Sequence, residues 1–143
     1  MLETRPLQPH DLFWLDQKTP EGWVDVSMMR QLSDPTLSIS FFEDGLYRGS
    51  AGVYKIWNGV YEAWLTILTV PTDLRGFLKS LRHGVALAFK LTKAHRIQGY
   101  CLAAFDRGVN LAIRLGFQKE GLLKQGAPDR SDMVLFAKVL SWA

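Results

Sequence analysis

Residues 98–139 read QGYCLAAFDRGVNLAIRLGFQKEGLLKQGAPDRSDMVLFAKV, and this stretch decides the fold that the sequence predicts. It predicts a buried strand, a helix and two further strands, at residues 97–103, 107–115, 117–124 and 132–140. Gly116 ends the helix, because glycine adopts the left-handed conformation of a helix C-terminus without a Cβ penalty. Gly121 marks either a turn with Lys119 and Glu120 or a bulge in the strand that Phe117 starts.

Two helices are predicted near the N-terminus. A short strand at Glu3 to Leu7 comes first, and Pro9-His10-Asp11 resembles the start of a helix. A second helix runs from about Trp23 to Leu32. Ser33-Asp34-Pro35 ends it, because the residue before a proline is pushed out of the helical region.

Residues 36–70 predict three antiparallel strands. In the first strand apolar side chains alternate with Ser38 and Ser40, which indicates a half-buried strand. The hairpin signals Asp44-Gly45 and Asn58-Gly59 separate it from strands at 46–57 and 60–70. A helix from about Leu78 to Ala94 follows. The whole order predicts one α/β (α+β) domain over residues 1–143, a mixed and mostly antiparallel central sheet of six to seven strands flanked by about four helices.

The charges divide unevenly between the two halves of the chain. Residues 1–70 hold five Lys or Arg against nine Asp or Glu, whereas residues 71–143 hold twelve against five. The basic half suits a polyanion, either a nucleic acid or a phosphorylated cofactor such as coenzyme A. A nucleic acid is the weaker alternative, because no binding motif accompanies the charge.

The sequence predicts a cytoplasmic protein without a membrane span or a metal site. No apolar run approaches the roughly 18 residues of a membrane span, and the N-terminus lacks the basic-then-apolar order of a secretion signal. The single Cys101 suits a reducing compartment. His10, His83 and His95 show no metal-ligand spacing with Cys101 or with one another.

The C-terminal stretch resembles the GNAT superfamily, the acetyl-coenzyme A-dependent N-acyltransferases, and within it the ribosomal-protein N-acetyltransferase type. The resemblance rests on the run from the helix end to the last strand: Leu115, Gly116, Phe117, Glu120, Gly121, Asp132, Met133, Val134 and Leu135. The predicted element order matches the GNAT fold over nearly the whole chain. The compact length also resembles short GNAT-like proteins of tailed bacteriophages, some of which act on host proteins, and this would place the protein in a host cytoplasm.

The resemblance implies a coenzyme A site at the strand before the long helix and at the loop that leads into that helix. In the family this strand exposes backbone groups to the pantetheine arm, and the loop N–H groups hold the pyrophosphate. The corresponding residues here are Leu68, Thr69, Val70, Arg75, Gly76, Phe77, Leu78, Lys79, Ser80 and Arg82. A helix N-terminus attracts phosphate through its free N–H groups and its dipole. The three basic residues share one helical face, which suits either a phosphate or a solvated surface.

The chain departs from the family pattern in two places. The family loop reads Arg/Gln-x-x-Gly-x-Gly/Ala, and here Leu78 and Ser80 stand at its two small positions. A side chain at Leu78 lies where the backbone should approach the phosphate closely. On the following helix, Ala112 replaces a tyrosine that many members use to protonate the leaving thiolate, and Phe105 replaces an asparagine.

Glu62 is the leading candidate for a catalytic base. It lies in an otherwise apolar run of the strand that feeds the cofactor loop, where desolvation would raise its pKa. The alternative is an edge-strand carboxylate in contact with water. Cys101 is a second candidate, as an acyl-accepting nucleophile, although a lone strand cysteine is more often a small buried hydrophobe. His95, at the end of the long helix, suits a helix-dipole partner better than a base.

Two functions follow from these residues. The first is an N-acyltransferase that moves an acetyl or short acyl group from coenzyme A to an amine of a protein or small molecule, with Glu62 or water accepting the proton. The second is a catalytically weak or inactive GNAT-fold protein that binds and modulates a partner protein. Trp14, Trp23, Met28 and Met29 are candidates for the acceptor or partner surface, because the N-terminal segment caps the acceptor groove in this fold.

Overall fold

The computed structural model of the chain describes residues 1–11 and 34–140. These ranges contain seven strands and two α-helices, in the order β1 (Leu2–Pro6), β2 (Ser38–Glu43), β3 (Leu46–Trp57), β4 (Val60–Ile67), α1 (Leu74–Thr92), β5 (Arg96–Leu102), α2 (Asp106–Arg114), β6 (Gln118–Leu123) and β7 (Met133–Val139). A 3-10 turn at Pro9–Asp11 follows β1. The remainder of the two predicted N-terminal helices falls in residues 12–33, outside the described residues.

The strands form one seven-stranded sheet in the order β1-β2-β3-β4-β5-β7-β6. β4 and β5 run parallel, because α1 carries the chain between them as a crossover. The pairs β1 with β2, β2 with β3, β5 with β7 and β6 with β7 are antiparallel. The predicted fold class, a mixed and mostly antiparallel sheet with helices, is confirmed.

The chain divides into two compact units, residues 1–54 with 64–83 and residues 55–63 with 84–143. In the first unit Phe41 and Phe77 are buried and pack edge to face, with ring centroids 5.1 Å apart. This contact holds the first half of α1 against β2. In the second unit Ile97, Val134 and Phe136 are buried and form the centre of the core.

The turn predictions at two glycines are confirmed. Asp44 and Gly45 have φ of 53° and 80°, and two consecutive left-handed residues form the hairpin turn that matches strand twist. Gly116 has φ of 92° and donates its N–H to the carbonyl of Ile113. The Phe117 N–H bonds to the carbonyl of Ala112, which completes the paired hydrogen bonds of a glycine-terminated helix.

At Gly121 the structure selects the bulge and excludes the turn. Lys119 pairs with Phe136 and Gly121 with Leu135, so Glu120 is an extra residue within β6. A bulge redirects side chains on the strand that carries it. The alternative of a Lys119-Glu120-Gly121 turn is therefore wrong.

The serines of β2 are buried, which the simple apolar alternation did not indicate. Ser38 and Ser40 are 4% and 0% exposed. Ser40 donates to the buried carboxylate of Asp11 at 2.8 Å and lies 2.8 Å from the Ser50 hydroxyl. Burial is tolerated because each hydroxyl has a partner.

Candidate functional site

The residues predicted to bind a cofactor lie on both sides of the start of α1. β4 ends at Ile67, so Leu68 to Val70 lie in the connection, whereas Arg75 to Ser80 and Arg82 lie within the helix. The prediction that the helix begins near Leu78 is wrong, because it begins at Leu74. Asp73 explains the earlier start.

Asp73 caps the helix with its carboxylate. Its Oδ1 accepts the N–H of Gly76 at 2.9 Å, the usual bond from an N-cap to the third helical residue. A Cβ on Gly76 would lie 2.4 Å from Asp73 Oδ2. The glycine at this position therefore makes room for the capping carboxylate.

A second carboxylate lies at the same helix start. Glu43, the last residue of β2, accepts the N–H of Thr72 at 3.0 Å and of Asp73 at 2.9 Å. Arg48 Nη2 lies 3.1 Å from Glu43 Oε1, and the Glu43 side chain is buried. The backbone hydrogen bonds from Thr72 and then Asp73 lower the pKa of Glu43 from 4.5 to about 2. Glu43 is therefore an anion at neutral pH.

The backbone just before the helix is also engaged. The N–H groups of Leu68 and Thr69 both donate to the carbonyl of Arg48, at 2.7 and 3.2 Å. These are two of the groups that the resemblance assigns to the pantetheine arm. In the structure they fasten the end of β4 to β3.

This arrangement does not fit the pyrophosphate of coenzyme A as the family loop holds it. The N–H groups of Thr72, Asp73 and Gly76 already bind the carboxylates of Glu43 and Asp73. A carboxylate gains the same hydrogen bonds and helix dipole as a phosphate, and its charge repels a further anion. Leu78 and Ser80 lie beyond the first turn of α1, where helical N–H groups bond to carbonyls four residues back.

The side chains of the predicted cofactor residues fall into two groups. Arg75, Lys79 and Arg82 are exposed, as a solvated basic face would be. Phe77 belongs to the core, and Leu78 and Ser80 are half-buried. The assignment of these residues to a cofactor stays a prediction.

Glu62 lies on β4, opposite Gln98 in the parallel register with β5. Its side chain is half-buried, and burial raises its pKa while a hydrogen bond with Gln98 partly offsets the effect. A carboxyl group with a raised pKa is suited to accept a proton near neutral pH. The predicted desolvation of Glu62 is thus present, and its role as a base stays a prediction.

The sequence analysis did not identify Gln98, Arg96 and Glu120, whose side chains form a hydrogen-bonded line to Glu62. Arg96 Nε donates to Gln98 Oε1 at 2.9 Å, and Arg96 also forms a two-pronged ion pair with Glu120 at 3.0 and 2.6 Å. Arg96 and Gln98 are two apart on one strand, so they share a face. The two-residue spacing of Arg96 and Gln98 can be seen in the sequence, whereas the contact of Glu120 with Arg96 depends on the bulge in β6.

Several solved structures of acetyltransferases are similar to this chain. A ribosomal-protein-alanine N-acetyltransferase from Brucella melitensis is 18% identical, with a TM-score of 0.73 over 96% of this chain and 99% of that one. A GNAT-family acetyltransferase from Streptococcus pneumoniae is 17% identical, with a TM-score of 0.72 over 99% and 100%. One from Bacillus anthracis is 17% identical, with a TM-score of 0.71 over 96% and 94%.

The chain has the GNAT fold. No protein-family model and no curated protein matches the sequence. The likeness is therefore one of structure at low identity, which carries the fold and leaves the activity to be argued from the site.

Ala112 and Phe105 stand where the resemblance to the family implies a tyrosine and an asparagine. Ala112 is half-buried on α2, and Phe105, just before the helix, is 51% exposed. Phe105 lines an open cavity of about 450 Å³. The rest of its lining comprises Leu102, Ala104, Ser131 and Asp132.

Cys101 is packed against α2. A Cβ on Gly108 would lie 2.5 Å from its sulfur, and burial raises the pKa of the thiol. A protonated thiol is a weak nucleophile, which favours the packing interpretation of Cys101.

The His95 ring packs against Gly59, so closely that a Cβ on Gly59 would lie 2.3 Å from His95 Nδ1.

The structure does not test the predicted acceptor or partner surface. Its residues fall outside the described ones: Trp14, Trp23, Met28 and Met29. Within the described ranges, no His, Cys, Asp and Glu side chains form a group of three that could hold a metal ion. The helices described there include none long and apolar enough to cross a membrane.

Proposed function

We propose that this chain is an N-acyltransferase that moves an acetyl or short acyl group to an amine of a protein or small molecule, with Glu62 accepting the amine proton. The observation that carries the proposal is the half-buried Glu62 carboxyl on β4, whose raised pKa suits proton transfer. The free amine attacks the thioester carbonyl, the C–N bond forms as the C–S bond breaks, and the proton that the nitrogen loses passes to Glu62 while the thiolate departs and is protonated by solvent. The GNAT fold supports this reaction class by analogy.

Acetyl-coenzyme A is the donor that the fold implies, and it supplies an acyl group as a thioester. The carboxylates of Glu43 and Asp73 occupy the N–H groups that would hold its pyrophosphate. We call the N–H groups of Thr72, Asp73 and Gly76 the backbone cradle. A coenzyme donor in this chain must therefore rely on contacts outside this cradle. We place the activity in the cytoplasm, because the single cysteine suits a reducing compartment.

A second candidate function is the binding and modulation of a partner protein without turnover. The ionised Glu43 at the start of α1 favours it, because this helix start satisfies its own donors without a phosphate. Ala112 in place of a tyrosine points the same way.

Titration calorimetry with acetyl-coenzyme A, free coenzyme A and acetyl-pantetheine separates the two functions. Acetyl-pantetheine lacks the pyrophosphate, so equal binding of the two thioesters would show that the cradle is not used. An acceptor screen then begins with peptides bearing an N-terminal alanine and with spermidine, the acceptors named for two structurally similar proteins. Failure of every thioester to bind would rule out the transferase and leave partner binding.

A further inference from the structure

A line of hydrogen-bonded side chains joins Glu62 to residues on two other strands, β5 and β6, and spans β7, which lies between those two strands in the sheet. Arg96 Nε donates to Gln98 Oε1 at 2.9 Å, and Gln98 hydrogen-bonds to Glu62 on the neighbouring strand. Arg96 Nη1 and Nη2 donate to the two carboxylate oxygens of Glu120, at 3.0 and 2.6 Å. The order Glu120, Arg96, Gln98, Glu62 thus connects β6, β5 and β4.

The chemistry of Arg96 fixes the orientation of the Gln98 amide. A guanidinium group only donates hydrogen bonds, whereas an amide side chain has one accepting oxygen and one donating nitrogen. Because the oxygen of Gln98 faces Arg96, its NH₂ group is the part left to face Glu62. A donor aimed at a carboxylate favours the ionised form, and it also holds the carboxylate in one position.

Glu120 fixes Arg96 in the same way. The pair is two-pronged, and its hydrogen bonds raise the pKa of Arg96 and lower the pKa of Glu120. Planar paired bonds of this kind restrict the guanidinium more than a single contact does. Glu120 is the extra residue of the bulge at Gly121, so a local feature of β6 supplies the anchor.

We propose that Gln98 is the positioning residue for the Glu62 carboxylate, and that Arg96 and Glu120 act through it by keeping the donating end of the Gln98 amide towards Glu62. The inference rests on the proposed function, because it describes how the proton-accepting group of that reaction is held. Without Arg96 the amide is free to rotate and present its oxygen to Glu62. An oxygen there favours the protonated carboxyl, so a smaller fraction of Glu62 is ionised and able to accept a proton.

The other charged side chains on the strands of this unit are Lys55, Lys119 and Lys138. Lys55 and Lys119 are exposed and Lys138 is half-buried. Lys55 lies on β3 and provides a matched control. A Lys55→Gln change removes one positive charge from the strand next to β4 and leaves the line of hydrogen bonds in place.

The test is an NMR titration of the Glu62 side-chain carboxyl carbon in the full chain, assigned with a Glu62→Gln variant. The titration midpoint should move up in Gln98→Leu and in Arg96→Met, and by less in Glu120→Gln. Arg96→Lys should keep the midpoint near that of the wild type, because an ammonium is also a pure donor. Lys55→Gln reports the effect of losing one positive charge by itself, and its shift should be smaller than that of Arg96→Met. Under turnover, Arg96→Met should lower kcat roughly tenfold, the effect of one lost hydrogen bond, with KM unchanged.

The two arms of the test separate this inference from the proposed function. Identical Glu62 midpoints in the wild type, Gln98→Leu and Arg96→Met would overturn the positioning role, whatever the activity. An upward shift equal in Arg96→Lys and Arg96→Met would also overturn it, because it would indicate loosening of the strand rather than rotation of the amide. The expected midpoints without acyl transfer to any amine would support the positioning of Glu62 and refute the transferase.

Discussion

Two carboxylates of this chain, the buried Glu43 and the half-buried Glu62, occupy opposite electrostatic environments. Glu43 receives two backbone N–H groups and the guanidinium of Arg48, and its pKa falls to about 2. Glu62 receives a hydrogen bond from Gln98, and burial raises its pKa. A carboxylate whose pKa is lowered by several donors stays ionised and serves the structure, whereas one whose pKa is raised by burial can exchange a proton.

The difference distinguishes two parts of the molecule. At the start of α1, the Glu43 carboxylate accepts backbone N–H groups where the resemblance to the family places a phosphate. Glu62, by contrast, is half-buried and hydrogen-bonded to Gln98. Substitutions at Glu43 and Glu62 should therefore have different effects, on stability and anion binding at Glu43 and on the reaction rate at Glu62.

The largest expected effect belongs to Glu62→Gln. Removing a general base typically lowers a rate by about 10²–10⁴-fold, and we expect kcat to fall in that range. Thioester binding should be unchanged in calorimetry, because the amide keeps the size of the side chain. Glu3→Gln, at an exposed carboxyl on β1, is the control for loss of one negative charge. Full activity in Glu62→Gln would remove Glu62 from the reaction.

Glu43→Gln should free backbone N–H groups at the start of α1, so that they can bind a phosphate as the family loop does. The change removes a buried negative charge and weakens the hold on the N–H groups of Thr72 and Asp73. We expect coenzyme A affinity to rise roughly tenfold, equivalent to about 1.4 kcal/mol of relieved repulsion and one freed donor. Calorimetry measures it against Asp44→Asn, which removes a neighbouring exposed charge but frees no N–H group of the helix start. Equal affinities in the two variants would show that the cradle is not a phosphate site even when opened.

The same residue predicts a pH dependence of stability. The folded-state pKa of Glu43 is about 2, below the usual 4.5. The ionised carboxylate therefore stabilises the fold above the unfolded-state pKa, and this contribution is lost as the pH falls through the folded-state value. Urea unfolding at about pH 6 and about pH 3 should show the stability gap between wild type and Glu43→Gln shrinking at the lower pH. A gap that is constant with pH would mean that Glu43 is not held ionised by the fold.

The features that the sequence predicted correctly are local. Gly116 and the Asp44-Gly45 pair need backbone conformations that few other residues adopt, so a few neighbouring letters suffice to place a helix end and a hairpin. Desolvation of Glu62 was also predictable, because its neighbours along β4 are apolar.

The features that were missed depend on partners distant in sequence. The early start of α1 involves Glu43 from the end of β2, and burial of Ser40 requires Asp11. The Asp73 cap is a local signal, because the residue that it caps, Gly76, is only three positions away, and the sequence analysis did not use it. Glu120 reaches Arg96 only because a bulge redirects it, and spacing alone does not show where a bulged side chain points.

The smallest expected effect tests why residue 76 is a glycine: to leave room for the capping carboxylate of Asp73, or to let a phosphate approach the backbone. Gly84 lies within α1, where an added Cβ meets nothing within 4 Å, so Gly84→Ala should stabilise the fold by roughly 0.5–1 kcal/mol through helix propensity. Gly76→Ala offers the same gain, but its Cβ would displace the Asp73 carboxylate and forfeit a cap worth about 0.5–2 kcal/mol. Chemical unfolding should therefore show stabilisation for Gly84→Ala and none for Gly76→Ala. In an Asp73→Ala background the cap is already absent, so Gly76→Ala should then stabilise as Gly84→Ala does. If Gly76→Ala stays unfavourable there, crowding by Asp73 is not what requires the glycine.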